Sequence, residues 1–263
     1  MRKTFAEDAL LGRKAMVMAA SRGIGKAVAE QLAAMGADLV IMARSQDELQ
    51  EVARQIESQT GRSVTVEVVD LLEQDTLRQV IEKHQDTDIL VTNCGGPPVA
   101  PFATLPLKAW DEGYHMIVRS VVIACQILVP NMAARGWGRV VMLTSSTVLN
   151  PLFNFAISNA LRKSLLGVAQ SIAQEYASQG VSANLVCQGL TKTKRLQSLI
   201  QTAMTNSGDD EATVLKRMVA PLATRRLAEP QEIAALVAFL CSEQASFIQG
   251  QALLIDGGQA LSH

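Results

Sequence analysis

Short runs of β-branched and aliphatic residues alternate along the chain with stretches of helical periodicity, and this alternation constrains the fold more than any other feature. Seven of these runs predict strands, at 14–20, 38–43, 64–69, 88–93, 139–145, 181–187 and 251–255. Repeated strand–helix–strand units form a mostly parallel sheet that is covered by helices on both faces. We therefore predict an α/β fold of the Rossmann type, with a doubly wound parallel seven-stranded sheet in a three-layer α/β/α arrangement.

One segment departs from this regular alternation. Residues 191–220 have a helical but more polar pattern, which Asn206-Ser207-Gly208-Asp209-Asp210 interrupts. The other connections are short, and the sequence shows no internal repeat or linker. We predict that residues 1–263 form a single domain, with residues 190–222 as an insertion or lid over one sheet edge.

The composition argues against several classes of protein. Hydrophobic residues make up 48% of the chain, and 24 Lys and Arg balance 25 Asp and Glu, so no basic surface favours nucleic acid or an anionic membrane. The four cysteines and three histidines are scattered, which predicts neither a disulfide framework nor a metal site. The first residues lack the apolar core of a signal peptide, and no uninterrupted apolar run reaches the ~18 residues of a spanning helix. We expect a cytoplasmic protein.

A glycine-containing turn separates the first predicted strand from the first predicted helix. Its sequence is Ala19-Ala20-Ser21-Arg22-Gly23-Ile24-Gly25. Glycines there allow backbone N–H groups to approach a pyrophosphate, and a helix N-terminus favours negative charge. A strand before the turn and a helix after it are the context that a dinucleotide fingerprint requires, although ordinary strand-to-helix turns also use glycine. We predict a dinucleotide-binding site at this turn.

The end of the second predicted strand indicates which dinucleotide binds. An acidic residue there would accept a hydrogen bond from the ribose 2′-hydroxyl, whereas a basic residue would accommodate a 2′-phosphate. The chain has Arg44-Ser45 at this point, with no carboxylate before Asp47, and Arg22 adds a second cation. These residues favour NADP(H); the alternative is that both arginines are merely solvated.

Further motifs indicate a family. Asn93-Cys94-Gly95 follows the fourth strand, 226–230 reads Arg-Leu-Ala-Glu-Pro, and 256–258 reads Asp-Gly-Gly near the end of the chain. With the turn, these motifs make residues 10–258 resemble the short-chain dehydrogenases/reductases, particularly the 3-oxoacyl-acyl-carrier-protein reductase-like members. In this resemblance, Ala19 replaces the usual first glycine and Asp70 contacts adenine. The implied cofactor-binding residues are Ala19, Ser21, Arg22, Gly23, Ile24, Gly25, Arg44, Ser45, Asp70, Leu71, Asn93, Cys94, Gly95, Lys163, Gly189 and Thr191.

The resemblance is incomplete at the catalytic positions. The family uses Asn, Ser, Tyr and Lys, with Tyr and Lys four residues apart on one helix face. Counting at the usual spacing assigns Ser146 to the serine, Asn159 to the tyrosine and Lys163 to the lysine, with Ile117 at the asparagine position. An alternative register uses Ser145, Ser158 and Arg162, but it supplies no better acid, so the first is preferred.

The resemblance implies reduction of a carbonyl by hydride transfer from NADPH. The substrate would be a 3-oxoacyl thioester, with or without its carrier protein, a polyketide-like compound or another apolar ketone, as in fatty acid or polyketide metabolism. The insertion favours such substrates because it contributes apolar side chains such as Leu196, Leu199, Met204 and Met218. Proton delivery would be non-standard because the tyrosine is missing. Two alternatives stay open: a catalytically silent cofactor-binding subunit and a non-redox enzyme. The family also implies a homo-oligomer, either a dimer or a tetramer.

Overall fold

The sheet has the architecture that the sequence predicts. A computed structural model describes residues 8–262. Seven strands, all paired in parallel, form one sheet in the order β3-β2-β1-β4-β5-β6-β7. They are β1 (Lys14–Met18), β2 (Asp38–Ala43), β3 (Val64–Val68), β4 (Ile89–Thr92), β5 (Gly138–Leu143), β6 (Val181–Gln188) and β7 (Ala252–Ile255). The predicted fold class is therefore confirmed.

Helices cover both faces of the sheet. They are α1 (Gly23–Ala34), α2 (Gln46–Thr60), α3 (Gln74–Glu82), α4 (Leu107–Tyr114), α5 (Ser120–Ala134), α6 (Ala156–Tyr176), α7 (Lys194–Ser207), α8 (Glu211–Val219) and α9 (Pro230–Cys241). On one face, α1, α2 and α9 share a buried core with the strands through residues such as Val28, Ile56 and Val237. On the other face, α3, α5 and α6 build a second core. Because both faces are buried, the strands are apolar throughout rather than alternating.

The strand order creates a crevice between β1 and β4. After β1 the chain continues to β2, and after β4 it continues to β5. Because β2 and β5 lie on opposite sides of the β1–β4 pair, the two connections diverge at the carboxyl edge of the sheet. Such a switch point is where open α/β sheets bind ligands. The glycine turn that follows β1 and the Asn93-Cys94-Gly95 loop that follows β4 both lie here.

The long helix predicted at 110–134 begins at Leu107 and contains one irregular turn. His115–Arg119 is a π-helical segment, in which the buried Ile117 lies, and the Ser120 hydroxyl donates 2.7 Å to the Met116 carbonyl. π-helical turns cost regular hydrogen bonds and occur frequently at functional sites. The helical run Leu107–Ala134 is long and apolar enough to cross a membrane, and half of its most apolar window is buried within the fold.

The segment at 190–222 forms a helical hairpin of α7 and α8, and α7 ends at Ser207 with Gly208 as its C-cap, within the predicted interruption. Leu196, Ile200, Val214 and Leu227 form a small separate core, against which Met204 and Met218 pack. From the sequence, Leu196, Met204 and Met218 were expected to favour an apolar substrate. The structure gives these side chains a packing role inside the hairpin instead.

Candidate functional site

The turn after β1 is shaped by a close approach of backbone to backbone. A Cβ atom on Gly25 would lie 2.3 Å from the Ala19 carbonyl oxygen, so no other residue fits there. Asn93 at the end of β4 directs its Nδ2 toward the same oxygen, at 3.5 Å. Ala19 has a φ of +51° and Gly23 a φ of +56°, both in the left-handed region that glycine adopts most readily. Ala19 thus occupies a glycine conformation, which also ends β1 before the predicted residue 20.

The helix that follows this turn begins without a side-chain cap. Arg22 occupies the cap position without bonding a backbone amide, and the first turn of α1 contains no acidic residue. The N-terminal N–H groups and the positive end of the helix dipole are therefore directed at the crevice, which is the arrangement that binds phosphate groups. The methyl group of Thr193, at the start of the hairpin, closes the turn at 3.2 Å from the position of a Gly23 Cβ.

Positive charge surrounds the edge of the crevice beside β2. Arg22 lies 3.6 Å and Lys194 3.7 Å from the Glu48 carboxylate, and Arg44 lies 3.8 Å from Asp70. Ser45 caps α2 by accepting from the Glu48 N–H at 3.4 Å, as the capping-box spacing predicts. Arg22 and Arg44 are both more than half exposed. The structure thus brings these predicted residues together and leaves both guanidinium groups accessible.

Arg162 connects the loops that follow β4 and β5. Arg162 is 6% exposed, and its guanidinium donates to the Thr144 carbonyl at 3.1 Å and to the Gly95 carbonyl at 3.2 Å. The Cys94 sulfur lies 3.6 Å from the same Nη2. Gln188, at the end of β6, also donates to the Thr144 carbonyl, at 2.9 Å. Arg162 therefore stands at the carboxyl edge of the sheet, beside the crevice.

Hydroxyl groups lie on the same side of α6 as Arg162. Ser158, one helical turn before it, is 5% exposed, and its hydroxyl is 3.1 Å from the hydroxyl of Thr147. The Ser145 hydroxyl accepts from the Thr147 N–H at 3.3 Å. Ser145, Thr147, Ser158 and Arg162 thus form one continuous polar group at the strand ends.

The register preferred from the sequence is not the one that the structure assembles. Lys163 is exposed and has no ion pair or hydrogen bond with any described residue, because it follows Arg162 around the helix toward solvent. Asn159 bonds both backbone groups of Leu152, at 3.2 Å to its N–H and 2.8 Å to its carbonyl. Ser146 is buried beside a separate cavity of about 200 Å³, lined also by Pro151 and Asp256. The assignment of Ser146, Asn159 and Lys163 to the catalytic positions stays a prediction, and the geometry favours the alternative register of Ser145, Ser158 and Arg162.

The remaining predicted cofactor-binding residues lie around the crevice, where they form hydrogen bonds or packing contacts with nearby residues. Asp70 accepts from the Leu72 N–H at 3.0 Å, and Leu71 packs partly buried against the second core. Thr191 is buried, and its hydroxyl donates to the Gly189 carbonyl at 3.1 Å. A Cβ on Gly189 would lie 2.8 Å from the Cα of Asp256, so this glycine allows β6 to end close to the C-terminal segment.

Three site residues were missed from the sequence, namely Thr147, Gln188 and Arg195. Arg195 donates to the Pro97 carbonyl at 2.8 Å. The Gln188 side-chain oxygen is buried without a hydrogen-bond partner in the described chain. Gln188 directly precedes Gly189, where the family resemblance expects proline, and that departure was the available signal. Nothing in the sequence pattern distinguishes Arg195 from its exposed neighbours.

The fold and the site together define a class. A doubly wound parallel sheet, a glycine turn before an uncapped helix at its switch point, and a polar group at the neighbouring strand ends are the features of a dinucleotide-binding α/β protein. A family model described as "Enoyl-(Acyl carrier protein) reductase" matches residues 18–260. The chain belongs to the short-chain dehydrogenase/reductase family of oxidoreductases.

Individual relatives are similar over nearly the whole chain. "Dehydrogenase/reductase SDR family member 4" of Oryctolagus cuniculus is 30% identical over 95% of this chain and 95% of its own. The structure of L-sorbose reductase from Gluconobacter frateurii, complexed with NADPH and L-sorbose, has a TM-score of 0.90 and 28% identity over 97% of this chain and 98% of that one. YwfH, an NADPH-dependent reductase involved in bacilysin biosynthesis, has a TM-score of 0.89 and 26% identity over 94% of this chain and 98% of its own.

The turn geometry makes a prediction about stability. Gly25→Ala should lower the free energy of unfolding by about 3 kcal/mol, since its methyl group would meet a backbone oxygen that cannot move aside. Ala19→Gly should raise it by about 0.5–1 kcal/mol by removing a left-handed alanine. Urea unfolding followed by circular dichroism measures both changes.

Gly167→Ala is the matched control for Gly25→Ala. Gly167 is inside α6 with no atom within 4 Å of an added Cβ, so alanine should stabilise the protein by about 1 kcal/mol through helix propensity. Equal unfolding midpoints for the Gly25→Ala and Gly167→Ala proteins would contradict the close approach in the turn.

Proposed function

We propose that this protein is an NADPH-dependent reductase of a carbonyl compound, with non-standard proton delivery. The observation that carries the proposal is the juxtaposition of a phosphate-binding turn with a buried arginine and two hydroxyls at adjacent strand ends. The substrate range expected from the sequence, a ketone or a 3-oxoacyl thioester, free or carrier-bound, is kept as the proposal. The direct test is NADPH oxidation, followed at 340 nm, over a panel of such compounds.

The residues present fit NADP(H). The turn at 19–25 offers uncapped amides for the pyrophosphate, and Arg22 and Arg44 offer charge for a 2′-phosphate. Asp70 and Leu71 lie beside Arg44, on the adenine side, and Asn93, Cys94 and Gly95 lie on the nicotinamide side. The buried Gln188 oxygen lacks a donor, and a nicotinamide carboxamide carries that kind of group. The similar L-sorbose reductase and YwfH are also NADPH proteins.

NADPH, when bound, supplies a hydride to the carbonyl carbon, and the oxygen takes up a proton. Arg162 donates three of its N–H groups to Thr144, Gly95 and Cys94, which leaves donors to stabilise negative charge that develops on an oxygen. A guanidinium does not give up its proton near neutral pH, so Arg162 is an electrophile and not the acid.

The hydroxyls are therefore proposed as the proton path. The Ser145 oxygen accepts from the Thr147 N–H, so the Ser145 hydroxyl hydrogen is left to be donated to the substrate oxygen, and a proton from water then replaces it. The hydroxyls of Ser158 and Thr147 form a neighbouring buried hydrogen-bonded pair. Aliphatic hydroxyls are weak acids, and lack of a positioned general acid costs about 10²–10⁴ in rate. We expect slow turnover.

A second candidate is a cofactor-binding subunit that turns over no substrate. The observation favouring it is the position of the two tyrosines, Tyr114 and Tyr176. Tyr114 is 47% exposed on α4, and Tyr176 lies 14 residues beyond Arg162, about 21 Å along α6. Among the described residues, neither phenol hydrogen-bonds Ser158 or Arg162, so no phenol is positioned there as an acid. This candidate predicts NADP(H) binding without NADPH consumption.

The remaining features of the proposal follow from the sequence and the family. We propose a single dinucleotide-binding domain over 1–263, in which 190–222 covers the substrate, and a cytoplasmic location. We also propose a homo-oligomer, either a dimer or a tetramer. Large apolar side chains that are more than two thirds exposed support an assembly: Phe102, Leu107, Phe153, Phe247 and Leu261.

Cofactor preference is tested by neutralising the two arginines. Arg22→Gln with Arg44→Gln should weaken NADPH binding by about 10–100-fold, since charge-assisted bonds to a 2′-phosphate are lost. NADH binding should change by less than about 3-fold, because NADH has no 2′-phosphate. Fluorescence titration of both cofactors gives the two dissociation constants.

Arg54→Gln serves as the control, because Arg54 lies exposed on α2 and, among residues 8–262, forms an ion pair only with Glu51. It should leave both constants unchanged. Equal losses for NADPH and NADH in the double variant would overturn the assignment of Arg22 and Arg44 to the 2′-phosphate.

Restoring a phenol distinguishes the two candidate functions. Ser158→Tyr combined with Arg162→Lys recreates the family's pair four residues apart, and should raise the rate of NADPH oxidation by about 10²–10⁴. Asn159→Tyr is the matched control: Asn159 bonds Leu152 rather than facing the crevice, so no gain is expected. Circular dichroism confirms that each variant is folded.

The outcomes separate the alternatives. A gain for Asn159→Tyr would reinstate the register with Lys163. Detectable parent activity that rises only in the Ser158 variant supports the reductase. A parent that binds NADPH without consuming it, and variants that stay inactive although folded, would favour the silent subunit.

A further inference from the structure

Two arginines face the same short loop of the crevice wall, and together they indicate the charge of the substrate. We infer that Arg195 and Arg162 form an anion-binding subsite that takes a carboxylate of the substrate, so that the carbonyl compound is an oxo acid. This inference rests on the proposed function. It selects ketones that carry a carboxylate from the proposed substrates and excludes the 3-oxoacyl thioesters, in which a thioester replaces the carboxylate.

The first arginine lies within the fold. Arg162 is 6% exposed, and its described hydrogen bonds go to uncharged groups, the carbonyls of Thr144 and Gly95 and the Cys94 sulfur. Within residues 8–262, no carboxylate lies within 4.0 Å of its guanidinium. A buried charge is costly in free energy unless it is paired, so an anion bound beside Arg162 would be stabilising.

The second arginine reaches the same loop from the hairpin. Arg195 donates to the Pro97 carbonyl at 2.8 Å, and its Nε would be 2.6 Å from a Cβ on Gly96. The carbonyls of Gly95 and Pro97 belong to residues two positions apart, so they lie at most about 7 Å from each other. In the described part of the chain, Arg195 too has no carboxylate partner.

The two charges affect each other. The pKa of Arg195 is lowered, first by the partial burial of its guanidinium and then by repulsion from the charge of Arg162. Two other cations of the hairpin have acidic partners: Lys194 lies 3.7 Å from Glu48, and Arg217 bonds Asp209 at 2.6 Å. Arg195 is exposed, so within the pair it is the buried Arg162 for which a missing counter-charge is costly.

A substrate carboxylate is a better candidate for the missing counter-charge of these arginines than the cofactor phosphates are. The phosphate-binding turn follows β1, whereas Arg162 stands over the ends of β4 and β5, one and two strands away. Neighbouring strands are about 4.8 Å apart, so the phosphate-binding turn and the two arginines lie in different parts of the crevice. Guanidinium groups match a carboxylate with two parallel N–H···O bonds.

The test measures binding rather than turnover. Acetoacetate and its uncharged methyl ester are titrated by calorimetry into the protein, both without cofactor and saturated with NADP⁺. We expect acetoacetate to bind at least about 10-fold more tightly than the ester, because bonds to a charged group contribute more than neutral ones. Arg195→Gln should remove most of this difference and leave ester binding unchanged.

Two further variants separate the subsite from general electrostatics. Gly96→Ala keeps both charges but places a methyl group where the Arg195 guanidinium lies, so it should also reduce acetoacetate binding. Arg217→Gln removes a hairpin charge that is already paired and should have no effect. The inference is overturned if acetoacetate does not bind, binds no better than the ester, or keeps its advantage in the Arg195→Gln protein. Failure of the proposed function would instead be seen as a lack of NADP⁺ binding, whereas the titrations without cofactor still report on the subsite.

Discussion

The candidate site depends on one buried cation that joins two strand ends, to which a glutamine side chain adds a third. The guanidinium of Arg162 bonds the carbonyl that follows β5 and the carbonyl of Gly95 beyond β4, and Gln188 from β6 shares the first of these acceptors. Backbone oxygens at the carboxyl edge of a parallel sheet have no further strand to pair with, so a side chain must satisfy them. Arg162 does so, and in the same position it presents positive charge to the crevice.

This arrangement explains why the neighbouring residues are polar but uncharged. Ser145, Thr147 and Ser158 are linked by hydrogen bonds of 3.3 and 3.1 Å, and they bring no negative charge near the arginine. A carboxylate there would neutralise Arg162 and remove its attraction for an anionic or electron-rich ligand. The site is therefore built to receive negative charge, at the phosphate turn and at the strand ends alike.

The sequence was sufficient for the sheet and for the turn. Seven apolar runs and the helical stretches between them predicted the strands, because a sheet buried on both faces must be apolar throughout. The turn at 19–25 was predicted from its glycines, although the left-handed Ala19 became visible only in the backbone angles. Sequence patterns could not decide between the two registers of the catalytic positions, one beginning at Ser145 and the other at Ser146.

The reason is geometric. Ser146, Asn159 and Lys163 have the same mutual spacing as Ser145, Ser158 and Arg162, so spacing cannot separate the two sets. A shift of one residue on a helix rotates the side chain by about 100°, and only packing decides which set faces inward. Arg195 was beyond prediction for a similar reason, since its contact with Pro97 joins residues 98 positions apart.

A crystal structure of the protein with NADP⁺ tests the central claim most directly. The account predicts density for the cofactor above Gly25, with the Arg162 guanidinium retained on the carbonyls of Thr144 and Gly95 and with the Lys163 ammonium in solvent. A structure in which Lys163 reaches the crevice and Arg162 is turned away, or in which the crevice stays empty at saturating NADP⁺, would contradict it.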